Sequence, residues 1–278
     1  MASLFRYILI AIVTVVSTPA VAVSTDWIEV HGGAVRLIFD GTREGTAYRG
    51  GIEFLLEPGW HTYWRNPGEA GIPPQIDGSG SSNLQSLDIR FPVPDIYNDG
   101  FSTSVVYHDG IILPLFAVPA DAGQPIQLDL SMFFGVCKDI CVPGDAEFSL
   151  QLEPGMKEDR LGARLIERDL KRVPKSVAMS ESPITAIDIV NLDGAPVAHI
   201  QTSAPKDGET PDLFAAGPSG SYIGLPLLRA QSADRVSWDL DLTGLKPSES
   251  GVAYLDLLWV KNGSGLAVRH ILPETSSN

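Results

Sequence analysis

The chain has 278 residues, 44% of them hydrophobic, which is enough for one large or two modest globular domains. Its net charge of −14 argues against DNA, RNA or an anionic lipid surface as a partner, because each of these would repel it. Only two cysteines are present, so any disulfide or thiolate chemistry depends on that single pair.

The first 22 residues have the features of a secretory signal peptide. Arg6 is their only charged residue, and the apolar run Tyr7–Val16 is followed by small residues up to Ala22. The run is shorter than the roughly 20 apolar residues that cross a bilayer, so a retained anchor is the weaker interpretation. We therefore expect residues 1–22 to be cleaved, and the exported mature chain not to span the membrane.

Residues 26–154 consist of short segments that alternate apolar and polar residues and are separated by Gly, Pro, Asn and Asp. These segments are AVRLIFDG, GGIEFLLEPGWHTYW, SLDIRFPVP, GIILPLFAVP, PIQLDLSMFF and AEFSLQLEP. Such spacing, with no helical period between the segments, favours an antiparallel β-sandwich over parallel βαβ units. The aromatic residues expected in or at the rim of its core are Trp27, Phe54, Trp60, Trp64, Phe91 and Phe116.

The composition changes at Glu158, where the stretch EDRLGARLIERDLKR begins. Leu161, Leu165 and Leu170 fall near one helical face, with acidic residues at the start and basic residues at the end, as the helix dipole favours. This pattern predicts one amphipathic helix that closes the first domain before a break at Pro174. A peptide-binding or membrane-surface helix is the alternative, and the mixed charges disfavour it.

The strand pattern resumes at Ser182 with the segments ITAIDIVNLDG, PVAHIQTSA, RVSWDLDLTGL, VAYLDLLWVKNG and LAVRHIL. Asn262–Gly263 between the last two is a hairpin signal. We therefore predict an all-β protein of two antiparallel β-sandwich domains joined by a short amphipathic helix. The predicted divisions are a signal peptide (1–22), a first domain (23–155), a helix and linker (156–181) and a second domain (182–278).

The common catalytic signatures are missing from the sequence. It contains no Gly-x-Ser-x-Gly, no His-Glu-x-x-His, no P-loop and no dinucleotide fingerprint after a strand. The five histidines are scattered without ligand spacing, so a structural role is favoured for each. We expect no cofactor, and the cysteines are the remaining candidates for chemistry.

Cys137 and Cys141 stand in the stretch VCKDICVP, and three readings of the pair are open. As a staple, a ring of about five residues stabilises a fold by only about 2 kcal/mol. As a redox pair, its short spacing confines the sulfur geometry and can make the bond easier to reduce. Lys138 favours a thiolate and Asp139 opposes one, so these neighbours do not decide the matter.

A metal site is the third reading of the pair. Two thiolates can hold a soft ion such as Cu(I), but they usually need a third ligand, for which Met132 and His108 qualify only if the fold brings them near. Structural zinc needs four ligands, and no second Cys or His pair at ligand spacing exists.

Three segments together resemble the N-terminal periplasmic region of the DsbD/ScsB family of thiol:disulfide interchange proteins. They are GWHTYWRNPGEAGIPP, VVYHDGIILPL and VCKDICVPGDAEFSLQL. The resemblance implies an immunoglobulin-like sandwich whose redox pair, here Cys137 and Cys141, receives electrons from a membrane reductase and reduces thioredoxin-fold proteins. Cys141 would form the mixed disulfide with the partner. A cap loop corresponds to YNDGFSTS, with Phe101 the best shielding aromatic and Tyr97 the second.

The cysteine spacing is closer to the ScsB pattern than to the DsbD pattern, and no transmembrane or thioredoxin-like domain follows in this sequence. The resemblance therefore implies a periplasmic thiol-disulfide exchange module that passes reducing equivalents through the Cys-x-x-x-Cys pair between a separate membrane thiol reductase and thioredoxin-fold partners. It would be a possible component of a protein thiol-disulfide oxidoreductase. The alternatives are a periplasmic Cu(I)-binding or copper-tolerance protein that uses the same cysteines, and a non-redox scaffold domain.

Overall fold

The computed structural model describes residues 23–272, so the predicted signal peptide lies outside the described residues. The described chain is built mainly of antiparallel sheets, arranged as two immunoglobulin-like β-sandwiches. This confirms the predicted fold class. The predicted division of the chain into domains remains a prediction, although the sheets separate along the sequence in the same order.

The first sandwich consists of a five-stranded and a six-stranded sheet. Its strands are β1 (Ile28–Val30), β2 (Gly33–Glu44), β3 (Ala47–Leu56), β4 (His61–Gly68), β5 (Gln75–Asp77), β6 (Leu84–Ile89), β7 (Asp95–Asn98), β8 (Thr103–His108), β9 (Gly110–Pro119), β10 (Ile126–Cys137) and β11 (Cys141–Leu152). The sheet orders are β1-β2-β3-β9-β6 and β11-β10-β4-β8-β7, and β5 pairs with β10.

Side-chain alternation explains how the two sheets close on one core. In β11, the alternate residues Ala146, Phe148, Leu150 and Leu152 are buried while those between them are exposed, because successive side chains point to opposite faces. The aromatic prediction holds for Phe54 and Trp64, which are buried in this core. Phe116 is buried outside the core, with the Arg90 guanidinium over its ring. Trp27, Trp60 and Phe91 are only partly buried.

The amphipathic helix is present as α1 (Arg160–Leu170), capped by Asp159, whose carboxylate accepts a hydrogen bond from the Leu161 backbone N–H. The helix packs on the outer face of β9 through Ile166, which is fully buried, whereas Leu161 is 68% exposed. Asp169 also accepts a hydrogen bond from the backbone N–H of Ile112. Within residues 23–272, no helix has both the length and the apolar character needed to cross a bilayer.

The second sandwich consists of two four-stranded sheets. Its strands are β12 (Lys175–Ser176), β13 (Ile184–Leu192), β14 (Ala195–Ser203), β15 (Asp212–Ala216), β16 (Leu227–Gln231), β17 (Arg235–Asp241), β18 (Tyr254–Lys261) and β19 (Ser264–Ile271). The sheet orders are β12-β19-β18-β15 and β13-β14-β17-β16. The short β12 lies in the stretch that was predicted as linker, and it pairs in parallel with β19.

The two sandwiches contact each other through β4. The Arg65 guanidinium pairs with Asp256 at 2.9 Å, and the Asn66 side-chain amide donates to the carbonyl of Ala215 at 2.8 Å. The rings of Trp64 and Phe214 lie 5.9 Å apart, and the core of the first sandwich continues into this contact. Strand β4 therefore pairs with β8 and β10 in its own sheet and is also hydrogen-bonded to β15 and β18 of the second sandwich.

Candidate functional site

The two cysteines form a disulfide bond at the end of the hairpin of β10 and β11. The strands pair in continuous register from Ile126 opposite Leu152 to Cys137 opposite Cys141, and the cysteine Cα atoms lie 4.2 Å apart. The bond therefore spans the three-residue turn that connects two long paired strands.

Strand alternation directs the disulfide to the outer face of the sheet. Val136 belongs to the main core, so the next residue, Cys137, points to the opposite face. Cys137 lies opposite His61 on β4, and His61 lies opposite His108 on β8. These three residues consequently form a row across the outer face, away from the core.

The two sulfur atoms have different access to solvent. Cys137 is only 2% exposed, because it packs with Tyr63 and Val106 in a small apolar cluster against which Tyr97 also lies. Cys141 is exposed. Cys141 is therefore the more accessible residue of the pair.

Tyr63 contacts both sulfur atoms through its hydroxyl group. The Oη atom donates to Cys137 Sγ at 2.7 Å and lies 3.0 Å from Cys141 Sγ. Burial, followed by the nearby negative charge of Asp99, raises the pKa of Tyr63 to about 12. The hydroxyl therefore stays protonated at neutral pH and is placed to donate a hydrogen bond to a thiolate at either position.

The segment that follows β4 folds back over the Tyr63 ring. A Cβ atom added at Gly71, where φ is +127°, would lie 2.2 Å from Tyr63 Cε1. Only glycine permits both this backbone conformation and this close approach. The ring is thus held between the sheet and residues 71–72.

His61 is buried among aromatic rings beside the disulfide. Its ring centroid lies 4.8 Å from Tyr97, 5.4 Å from Tyr63 and 5.8 Å from His108. Burial, and then the neighbouring His108, lowers the pKa of His61 to about 4, although Asp99 opposes the shift. His61 is therefore neutral at pH 7 and adds no positive charge to the site.

The turn between the cysteines is anchored at one residue and open at another. The Lys138 ammonium group donates to the carbonyl of Pro58 at 3.3 Å, and its aliphatic part lies over Gly59. Ile140 is 68% exposed immediately before Cys141. An apolar side chain therefore stands next to the accessible sulfur.

The two predicted cap residues lie in different surroundings. Phe101 is 99% exposed in the loop between β7 and β8, where Asp99 accepts hydrogen bonds from the backbone of Phe101 and Ser102, both at 2.8 Å. Tyr97, on β7, packs against His61 and the cluster that contains Cys137. The shielding role remains a prediction for both residues, and Tyr97 is the one with contacts at the site.

The two residues considered as third metal ligands also differ in position. Met132 is buried in the main core, whereas Cys137 belongs to the separate outer cluster. His108 shares the outer face with Cys137, but β4 and His61 lie between them. Between residues 23 and 272, no group of three or more His, Cys, Asp or Glu side chains has a metal-binding arrangement.

The sequence pattern by itself assigns no function to Tyr63 or His61. In HTYW, alternation separates His61 and Tyr63 from Thr62 and Trp64, so the sequence contained the signal for a shared face. Sequence alone did not contain the register between β4 and β10, which brings that face to the cysteines. Two side chains with polar groups on one face of a strand whose other face joins the core, as with His61 and Tyr63, therefore indicate a candidate functional face.

Comparisons with known proteins agree with the fold. Residues 34–153 match the family described as thiol:disulfide interchange protein DsbD, N-terminal. The crystal structure of the N-terminal periplasmic domain of ScsB from Proteus mirabilis is 19% identical, covers 90% of this chain and 98% of its own, and has a TM-score of 0.64.

The reduced N-terminal domain of DsbD from Neisseria meningitidis is 20% identical, with 44% of this chain and 87% of its own covered and a TM-score of 0.27. No curated protein shows a significant match to the sequence. The similarity to the Proteus structure extends over both sandwiches, so the two-sandwich architecture occurs in at least one solved structure.

Proposed function

We propose that the chain is a periplasmic thiol-disulfide exchange module whose reactive pair is Cys137 and Cys141. The match of residues 34–153 to the DsbD N-terminal family supports this proposal. One observation carries the proposal. The disulfide joins a buried sulfur to an exposed one, and a single protonated hydroxyl lies within 3.0 Å of both.

The exchange proceeds in two balanced steps when the pair is reduced. The Cys141 thiolate attacks a sulfur of the partner's disulfide, so that a mixed disulfide forms and one partner thiolate leaves and takes up a proton. The Cys137 thiolate then attacks Cys141 Sγ, which closes the internal disulfide and releases the second partner thiol. Two electrons and two protons pass to the partner, and a donor dithiol restores the pair by the reverse sequence.

Tyr63 assists both steps through its hydroxyl group. Cys137 is almost completely buried, and burial by itself disfavours the charged thiolate form of its side chain. A hydrogen bond to a charged group is worth about 1.5–3 kcal/mol, enough to offset part of this cost. Because the hydroxyl lies between the sulfurs, it can stabilise whichever of them carries negative charge.

A purely structural role explains the bond less well. The hairpin is already held by a continuous ladder from Ile126 opposite Leu152 to Cys137 opposite Cys141. Closing a ring of this size adds only about 2 kcal/mol on the loop-entropy estimate. The disulfide therefore adds little stability to a hairpin that its backbone hydrogen bonds already stabilise.

The partners follow from the chemistry and from the family. We propose a separate membrane thiol reductase as the electron donor and periplasmic thioredoxin-fold proteins as acceptors. The exposed Ile140 beside Cys141 provides an apolar contact for a partner's surface around its own disulfide. The chain's net charge of −14 favours partners with a neutral or basic contact surface.

Equilibration with glutathione or thioredoxin buffers, followed by alkylation of free thiols, tests the exchange. The expected result is reversible reduction of the pair in the folded protein. A pair that stays oxidised until the protein unfolds would overturn the proposal.

Trapping tests the order of attack. Cys137→Ser leaves the exposed Cys141 thiol, which should capture a thioredoxin-fold protein as a stable mixed disulfide. Cys141→Ser is the matched control and leaves only the buried thiol, so it should capture much less. Equal capture by both variants would contradict the assignment of Cys141 as the attacking residue.

A further inference from the structure

We propose that the second sandwich is part of the redox site and that Tyr222 is its positioning residue, acting through Glu69 on Tyr63 and on the hairpin of β7 and β8. The inference rests on the proposed function and assigns a role to the second sandwich within it. The feature that carries it is the chain of contacts from Tyr222 to the cysteines.

The strand that holds Tyr63 leaves its sheet immediately after that residue. Tyr63 pairs with Val106 on β8, but the next paired residue of β4 is Gly68, opposite Ser104. Four residues of β4 therefore stand against a single residue of β8, which is a pronounced bulge. Within the first sandwich, β8 does not fix this stretch.

The second sandwich holds the bulge instead. Arg65 pairs with Asp256 at 2.9 Å, and the Asn66 amide donates to the carbonyl of Ala215 at 2.8 Å. Both partners belong to the second sandwich, on β18 and β15. Bulges leave backbone and side chains free to turn towards new partners, and here those partners come from the other sandwich.

Tyr222 continues this contact to the end of β4. It lies in the segment between β15 and β16, and its hydroxyl donates to the backbone carbonyl of Glu69 at 3.1 Å. The residue is 49% exposed. Glu69 is the first residue after β4.

Glu69 links Tyr222 to the hairpin of β7 and β8, because it is also hydrogen-bonded to Thr103. Its backbone N–H donates to the carbonyl of Thr103 at 2.9 Å, and its carboxylate accepts from the Thr103 N–H at 2.6 Å. The Ser104 hydroxyl then donates to the carbonyl of Ala70 at 3.0 Å. This hairpin bears Tyr97, which packs against His61 beside the cysteines, and the loop with Asp99, whose charge acts on Tyr63.

The same segment also fixes Tyr63. Gly71 follows Glu69 by two residues and touches the Tyr63 ring so closely that a Cβ atom would not fit. A shift of residues 69–71 therefore displaces the ring whose hydroxyl lies on the two sulfurs. Tyr222 is also among the groups that raise the pKa of Tyr63, after burial and Asp99.

Tyr222→Phe removes one hydroxyl and keeps the ring, so it tests the bond to Glu69 directly. Amide hydrogen exchange at Glu69 and Thr103 should become about threefold to tenfold faster, as expected for the loss of one hydrogen bond. In the reduced protein, the pH profile of Cys141 alkylation should move to higher pH, because a displaced Tyr63 hydroxyl stabilises the Cys141 thiolate less. Tyr63→Phe should move it further in the same direction.

Tyr254→Phe is the matched control, since it removes a hydroxyl from the same cleft between the sandwiches without touching the Tyr222–Glu69 bond. It should change neither readout by more than about twofold. An unchanged alkylation profile in Tyr222→Phe would overturn the proposal, and so would equal shifts in both variants.

These measurements need no partner protein, so they separate this inference from the proposed function. A failure of exchange with partners would leave the alkylation profile measurable. Conversely, exchange that proceeds normally in Tyr222→Phe, together with an unchanged profile, would retain the function and remove the role of the second sandwich. Glu69→Gln provides a second variant, because it weakens the bond to Thr103 while the fold of the second sandwich is untouched.

Discussion

Two β-hairpins of this protein differ in how their turns are closed. The hairpin of β18 and β19 turns through Asn262 and Gly263, both with positive φ, so that Lys261 pairs directly with Ser264. The hairpin of β10 and β11 turns through three residues, and a disulfide joins the flanking Cys137 and Cys141. One hairpin closes by backbone conformation, and the other carries a covalent bond across its turn.

The difference separates stability from chemistry. A two-residue turn of Asn and Gly matches the twist of paired strands and needs no cross-link. The β10–β11 hairpin is no shorter, and its ladder is continuous, so it has no greater need of a staple. The disulfide in the first sandwich is therefore better explained by thiol-disulfide exchange at its sulfur atoms than by stabilisation of the β10–β11 hairpin.

Removal of the disulfide gives the largest expected change in stability among the tests of this comparison. Replacing both cysteines with serine should lower the free energy of unfolding by about 2 kcal/mol, because only a short ring is opened. Urea denaturation of the variant and the oxidised protein measures this. A loss of more than about 4 kcal/mol, with the strands of β10 and β11 losing hydrogen-exchange protection, would favour the staple instead.

Tyr63→Phe sharpens the chemical side of the comparison. It removes the donor that lies 2.7 Å from Cys137 Sγ while the ring stays packed. Alkylation of the reduced pair at pH 7 should slow by about tenfold, since the thiolate loses a hydrogen bond. Tyr48→Phe, in the same sandwich but away from the site, is the control and should alkylate at the original rate.

Gly263→Ala examines the hairpin without a disulfide. Nothing lies within 4 Å of the added Cβ atom, so the change acts only through the backbone, where φ is +71°. The cost should be about 1 kcal/mol of unfolding free energy, because alanine is strained in this region. Thermal unfolding measures it, and the alkylation rate of the cysteines should stay constant.

The pH dependence of stability is the smallest expected effect. The folded state lowers the pKa of His61 from 6.5 to about 4, so the unfolded chain binds a proton in this range while the folded chain does not. Stability should therefore fall as the pH decreases, by less than about 1 kcal/mol between pH 7.5 and pH 6.0. His61→Phe should flatten this part of the curve, and a variant that retains the full slope would contradict the assignment to His61.

Much of the fold could be predicted from residue patterns. Alternation of apolar and polar residues indicated the strands, and the leucine-rich stretch after Glu158 indicated the helix, because these periods reflect the geometry of each element. The face of the helix was harder to predict. Ile166 packs on the sheet while Leu161 is exposed, since the position of Ile38 and Ile112 decides which side of α1 meets the sandwich.

The site was only half visible in the sequence. The cysteines are recognisable by their spacing and flanking residues, but Tyr63 lies 74 residues before Cys137 and reaches it only through the pairing of β4 with β10. Phe101 was the stronger prediction for the cap, and the structure leaves it almost fully exposed while Tyr97 packs beside His61. Loop conformation depends on contacts that no local pattern encodes.

By itself, the sequence determined a negatively charged chain of two β-sandwiches with one close cysteine pair, because composition, alternation and spacing are local properties. Tertiary structure alone decided that one sulfur is buried and the other open. It also decided that a protonated tyrosine lies on both, and that the second sandwich holds the strand bearing that tyrosine. These features depend on strand register and on contacts between distant segments, which arise only when the sheets assemble.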